Sequence, residues 1–70
     1  MPAKARELRS AAEKLGFRFR RQAGSHVIMS HPDGRETAIP FHGSREIRPG
    51  LYYAILKQIG ITEEEFRRLK

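Results

Sequence analysis

The sequence predicts an α+β domain in which one helix precedes a three-stranded antiparallel meander and two helices follow it. Three patterns carry that prediction. An apolar stripe of helical period lies near the N-terminus, and period-two alternation broken by turn residues fills the middle. Paired helix-start and helix-stop signals follow the last strand.

Leu8, Ala11, Ala12 and Leu15 recur at i, i+3, i+4 and i+7, while Lys4, Arg6, Arg9, Glu13 and Lys14 fall mostly on other faces, so this segment reads as an amphipathic helix. Gly16 is its C-terminal stop. Phe17-Arg18-Phe19-Arg20 alternates as a strand with one apolar and one basic face. Ala23-Gly24 reads as its turn, His26 to His31 as the second strand, Pro32-Asp33-Gly34 as the next turn, and Arg35 to Phe41 as the third strand. Two-residue turns at Ala23-Gly24 and Asp33-Gly34 pair Phe19 with Ile28, Arg21 with His26, and Ile28 with Ile39. Phe17, Phe19, Ile28 and Ile39 then share the helix-covered face, with His26 on its rim beside Arg21. A slip of one residue moves His26 to the other face, beside Arg20 and Gln22.

Phe41 to Arg48 reads as a loop, after which Pro49 or Gly50 opens a second helix with Leu51, Ile55 and Ile59 repeating at i+4. Gly60 ends it. Thr62 and Glu65 make a capping box, Ile61 and Phe66 stand at the staple positions, and Glu63 to Glu65 suit the positive end of a short last helix. No repeat, linker or low-complexity segment interrupts this order, so residues 1–70 read as a single domain.

A chain of 70 residues buries a thin core and leaves no room for a deep enclosed pocket. Without cysteine it has no disulfide or thiolate site, and stability rests on apolar packing in a chain suited to the cytoplasm. The longest uncharged apolar run, Leu51 to Leu56, is far too short to span a bilayer. The net charge is +6, and residues 1 to 25 hold seven Lys or Arg against two Glu. That surplus favours a polyanionic partner, with nucleic acid ahead of an anionic membrane because the apolar residues of the first helix are needed by its own core.

Metal chemistry is disfavoured, because His26, His31 and His42 lack ligand spacing and no Cys or close carboxylate cluster completes a set. Paired-carboxylate hydrolysis is equally weak, since Glu63 to Glu65 suit a helix start and Asp33 a turn. No Gly-rich phosphate loop occurs. What remains is histidine on a basic surface. His26 follows Gly24-Ser25, near a turn and close to Arg20 or Arg21; its pattern fits a plain strand histidine as well as a reacting one. His31 reads as structural or incidental, and His42 in the loop is a candidate for substrate contact. Residue pattern alone does not choose among them.

Gly16-Phe17, Gly24-Ser25-His26, His31-Pro32-Asp33-Gly34, Ile39-Pro40, His42, Glu46-Ile47, Pro49-Gly50, Ile55-Leu56-Lys57-Gln58 and Glu64-Glu65-Phe66, in this order, resemble the HicA (YcfA-like) mRNA interferase toxins nearly end to end. The resemblance implies a fold like the double-stranded RNA-binding domain, with helices on one face of the sheet. It also implies ribosome-independent mRNA cleavage without a cofactor, neutralisation by a cognate HicB antitoxin, and a catalytic histidine in the Gly-Ser-His run, here His26.

On that reading His26 is the general base that takes the ribose 2′-hydroxyl proton, a role imidazole fills without a metal because it titrates near neutrality. Arg20, Arg21 or Lys4 is expected to stabilise phosphoryl charge, and Ser25 to donate a hydrogen bond. The second proton is left open between water, His42 and the protonated His26. RNA is expected to lie along Lys4, Arg6, Arg9, Arg18, Arg20 and Arg21, held mainly by charge. The rival readings are a non-catalytic RNA-binding module of the same fold and an interaction protein for an acidic partner. A DNA-binding helical module fits less well, since the basic region includes a hairpin and shows no recognition helix.

Overall fold

A computed structural model describes residues 3–43 and 45–70. The elements run α1 (Ala5–Lys14), β1 (Arg18–Ala23), β2 (His26–Ser30), β3 (Glu36–Pro40), α2 (Pro49–Ile59) and α3 (Glu63–Leu69). The strands form an antiparallel sheet in the order β1-β2-β3. Helices α1 and α2 pack on β3, and α3 packs on α1 and α2. The α+β class and the element order are those predicted.

Helix α1 buries Leu8, Ala11 and Ala12, and half-buries Leu15 at its C-cap. Gly16 follows at φ 101°, where an added Cβ would also lie 3.0 Å from the His31 ring. In α2 the buried stripe is Tyr52, Ile55, Leu56 and Ile59, not the predicted Leu51, Ile55 and Ile59. The difference is a matter of phase: i, i+3, i+4, i+7 from Tyr52 centres on the sheet, which leaves Leu51 43% exposed at the helix start. The capping box of α3 forms as expected, with the Glu65 N–H donating to Thr62 Oγ1 at 3.1 Å and the Thr62 N–H donating to Glu65 Oε1 at 2.8 Å.

Both hairpin registers differ from the prediction, the first by two residues beside its turn (Arg21 meets Ile28, not His26) and by one beyond its bulge (Phe19 meets Met29, not Ile28), the second by one, and the turns explain why. Ala23 pairs with His26, so the first turn is Gly24-Ser25 rather than Ala23-Gly24. Gly24 has φ 60° and Ser25 has no positive φ, the pattern of a turn with glycine at its first central position. The second loop spans three residues, Pro32-Asp33-Gly34, because the His31 N–H donates to the Arg35 carbonyl at 2.8 Å and the Gly34 N–H to the His31 carbonyl at 2.9 Å. Val27 therefore pairs with Ile39, and Ile28 with Ala38. Val27, Met29, Thr37 and Ile39 face the core, whereas the expected Phe19 and Ile28 do not complete it: Phe19 is 48% exposed and Ile28 half-buried on the open face. The predicted pairs Phe19 with Ile28, Arg21 with His26, and Ile28 with Ile39 are all corrected by this shift.

Candidate active site

His26 is the first residue of β2, and its side chain alternates with the buried Val27 and Met29. It therefore belongs to the open face of the sheet, not to the rim of the helix-covered face. Its cross-strand neighbours are Ala23 on β1 and Pro40 on β3. The imidazole is exposed and has no hydrogen-bond partner among the described residues.

β1 carries an extra residue between Phe19 and Arg21, a β-bulge that leaves Arg20 and Arg21 together opposite Ile28. Arg20 Nη1 donates to Ser30 Oγ at 3.3 Å, which sets that side chain on the open face as well. Arg18 lies opposite Ser30. The bulge thus gathers Arg18, Arg20 and Arg21 on the face that holds His26, with Arg21 diagonal to it across the ladder.

The first-helix cations are arranged differently. Arg9 Nε binds Glu13 Oε2 at 3.2 Å while its guanidinium covers the Phe19 ring at 5.4 Å. Arg6 is exposed. Lys4 caps α1: its N–H donates to Glu7 Oε1 at 2.9 Å, and this bond, assisted by Lys70, holds the Glu7 carboxyl below its ordinary value. Lys4 also pairs antiparallel with Glu46.

The loop after β3 closes the site. It is tied at one end by the Phe41 N–H donating to the Ser25 carbonyl at 2.7 Å and at the other by the Ile47 N–H donating to the Ala3 carbonyl at 2.9 Å. Between these ties an open cleft of about 390 Å³ is lined by His26, Pro40, His42, Arg45, Glu46, Arg48 and Leu51. Of the predicted site residues the cleft brings together His26 and His42. Ser25 lies in the adjoining turn, and Arg20 and Arg21 stand on the sheet face outside the lining. Arg45, Glu46, Arg48 and Leu51 were missed as site residues, although two arginines and a histidine within one short loop were a visible signal.

His31 shows the opposite arrangement. Its Nε2–H donates to the Leu15 carbonyl at 3.2 Å, Nδ1 accepts from the Asp33 N–H at 3.1 Å, and the ring stands edge-on to Phe17 at 5.2 Å. Of the two readings expected for it, structural or incidental, these contacts are the structural one. Among the described residues, no three His, Cys, Asp or Glu side chains are grouped to hold a metal ion.

Comparison with known families matches residues 5–61, from the start of α1 through the cleft to the end of α2, to the HicA toxin of bacterial toxin–antitoxin systems. The chain belongs to the HicA toxin family. A relative in Pseudomonas fluorescens (strain Pf0-1), described as a probable mRNA interferase HicA, is 35% identical over 57 residues, covering 81% of this chain and 93% of that protein. In this HicA-family toxin α3 lies beyond the family match, yet its Phe66 is buried in the common core and the Lys14 ammonium donates to the Leu69 carbonyl. Among the described residues no helix is long and apolar enough to cross a membrane.

Proposed function

We propose that this HicA-family toxin is an mRNA-cleaving endoribonuclease in which His26 is the catalytic base and no metal ion takes part. The observation that carries the proposal is an exposed imidazole, unengaged by the described residues, in a cleft lined by two arginines. The name of the Pseudomonas relative supports mRNA as the substrate class.

In this reaction His26 accepts the 2′-hydroxyl proton as the 2′-oxygen attacks the adjacent phosphorus. Guanidinium groups stabilise the charge that develops on the non-bridging oxygens. Arg45 and Arg48 line the cleft itself and are the first candidates for that work, with Arg21 next to His26 on the sheet face, while the Arg20 guanidinium is turned to Ser30 at the far end of β2. Ser25 holds the turn on which His26 is mounted. Arg18, Arg20 and Arg21 extend the positive track along the open face, while Lys4, Arg6 and Arg9 guide the strand from the side of α1. Residues 1–70 act as one catalytic domain in this reading. Its protein partner is a cognate HicB-like antitoxin, and its place of action is the cytoplasm.

The test is RNA cleavage by the purified protein in excess EDTA, wild type against His26→Ala. Wild type is expected to cleave and the variant to lose about 10² to 10⁴ in rate at unchanged thermal stability. Equal cleavage by the two proteins would leave a non-catalytic role for His26, and loss of wild-type activity in EDTA would reject the metal-free reaction.

A further inference from the structure

We propose that His42 is the general acid of the reaction, delivering a proton to the departing 5′-oxygen while His26 takes one from the 2′-hydroxyl. The inference rests on the reading of His26 given above and names the second proton-transfer group of the same cleft.

His42 immediately follows Phe41, whose N–H is bound to the Ser25 carbonyl at 2.7 Å, one residue before His26. The Arg45 N–H donates to the His42 carbonyl at 3.3 Å, and Gly43 supplies φ 63°, so the chain turns back directly after His42. His42 is thus the next residue after the Phe41 tie, and Ile47, bound to Ala3, ties the chain again beyond the cleft. The exposed His42 ring lines the cleft that His26 lines from the strand. The two histidines therefore border one cleft from different elements, the juxtaposition that a base and a separate acid acting on one phosphorus require.

The chemistry needs such a second group. Attack by the 2′-oxygen forms its bond to phosphorus as the bond to the 5′-oxygen breaks, and an alkoxide is a poor leaving group unless it is protonated as it departs. His26 gains one proton and His42 gives one up, so the products are a 2′,3′-cyclic phosphate and a free 5′-hydroxyl. Proton exchange with water then restores both imidazoles. Arg45, Arg48 and Glu46 are the other charged residues of the cleft. Arginine stays protonated at working pH and is a poor proton donor. Glu46 is left as the rival acid, and its backbone pairing with Lys4 places it at the far tie of the loop.

A substrate that needs no acid separates this role from simple binding. An RNA oligonucleotide with sulfur in place of the bridging 5′-oxygen expels a thiolate, which leaves without protonation. His42→Ala and His42→Asn are expected to slow cleavage of ordinary RNA by about 10² to 10⁴, and to stay within about tenfold of wild type on the sulfur-bridged substrate. Equal losses on both substrates, or no loss on either, would overturn the assignment. His26→Ala is the control for the underlying reading: it is expected to lose activity on both substrates, and retention there would refute the base and not the acid.

Discussion

His26, which opens β2, and His31, which follows its last residue, lie within six residues of each other in sequence and differ in almost every physical respect. His31 uses both ring nitrogens, one on the Leu15 carbonyl and one on the Asp33 N–H, and packs its ring edge against Phe17. It binds the end of α1 to the second hairpin. His26 has neither nitrogen occupied among the described residues and opens onto a cleft. A histidine whose hydrogen bonds are filled by its own protein is a strut, and one left with vacant positions at a positive surface is available to a substrate.

The sharpest way to break this contrast is to remove each ring in turn. His26→Ala is expected to cost catalysis and leave the unfolding midpoint in place, since an exposed side chain without partners contributes little to stability. His31→Ala should do the reverse, costing about 1 to 3 kcal/mol because the half-buried Leu15 carbonyl loses its donor, while the folded fraction still cleaves RNA. Thermal unfolding and a cleavage assay on the same samples check both. Gly16→Ala probes the same strut from the other side: at φ 101° and 3.0 Å from the His31 ring, a methyl group is expected to cost at least about 1 kcal/mol.

Smaller effects sharpen the picture of the surface. Arg45→Ala and Arg48→Ala are each expected to lower RNA affinity and to reduce the slope of log affinity against log salt by about one. Arg9→Ala should change that slope less, since Arg9 is engaged by Glu13 and Phe19. A larger change at Arg9 than at Arg45 would move the RNA path from the cleft to α1. Thr62→Ala should cost about 1 kcal/mol without touching activity, as expected for a helix cap remote from the cleft.

Acid should weaken the fold through three carboxylates. The Arg35 N–H bound to Asp33, the Lys4 N–H bound to Glu7 and the Thr62 N–H bound to Glu65 each hold a carboxyl below its ordinary value. The unfolded chain then binds protons at higher pH than the folded one, so the stabilisation is complete above about pH 5 and fades as pH falls through about 4 and below. Denaturant midpoints measured from pH 7 to pH 3 check this. A midpoint that stays level through that range would refute it.

Much of the fold was legible in local pattern. The stripe from Leu8 to Ala12, the stop at Gly16 and the cap at Thr62 each depend on neighbours a few residues away, and each appears where expected. The sheet register was not legible, because it turns on where the first two-residue turn falls and on one residue of length in the second loop. A three-residue second loop in place of a two-residue one exchanges Ile28 for Val27 and Met29 in the core and carries His26 to the open face. The bulge at Arg20 was equally hidden, for alternation by itself does not reveal an extra residue. For the site, resemblance to a family singled out His26 where residue pattern left it level with ordinary histidines. Arg45 and Arg48 join it through the ties of Phe41 to Ser25 and Ile47 to Ala3, which are contacts between distant parts of the chain.

The most direct test of the central claim is the chemistry of the cut ends. RNA incubated with the wild-type protein and resolved by mass spectrometry is expected to yield a 2′,3′-cyclic phosphate on one fragment and a 5′-hydroxyl on the other, the signature of attack by the sugar's own hydroxyl. Fragments carrying 5′-phosphate and 3′-hydroxyl from the outset would mean that water attacked phosphorus directly, and His26 would not be the base for the 2′-oxygen.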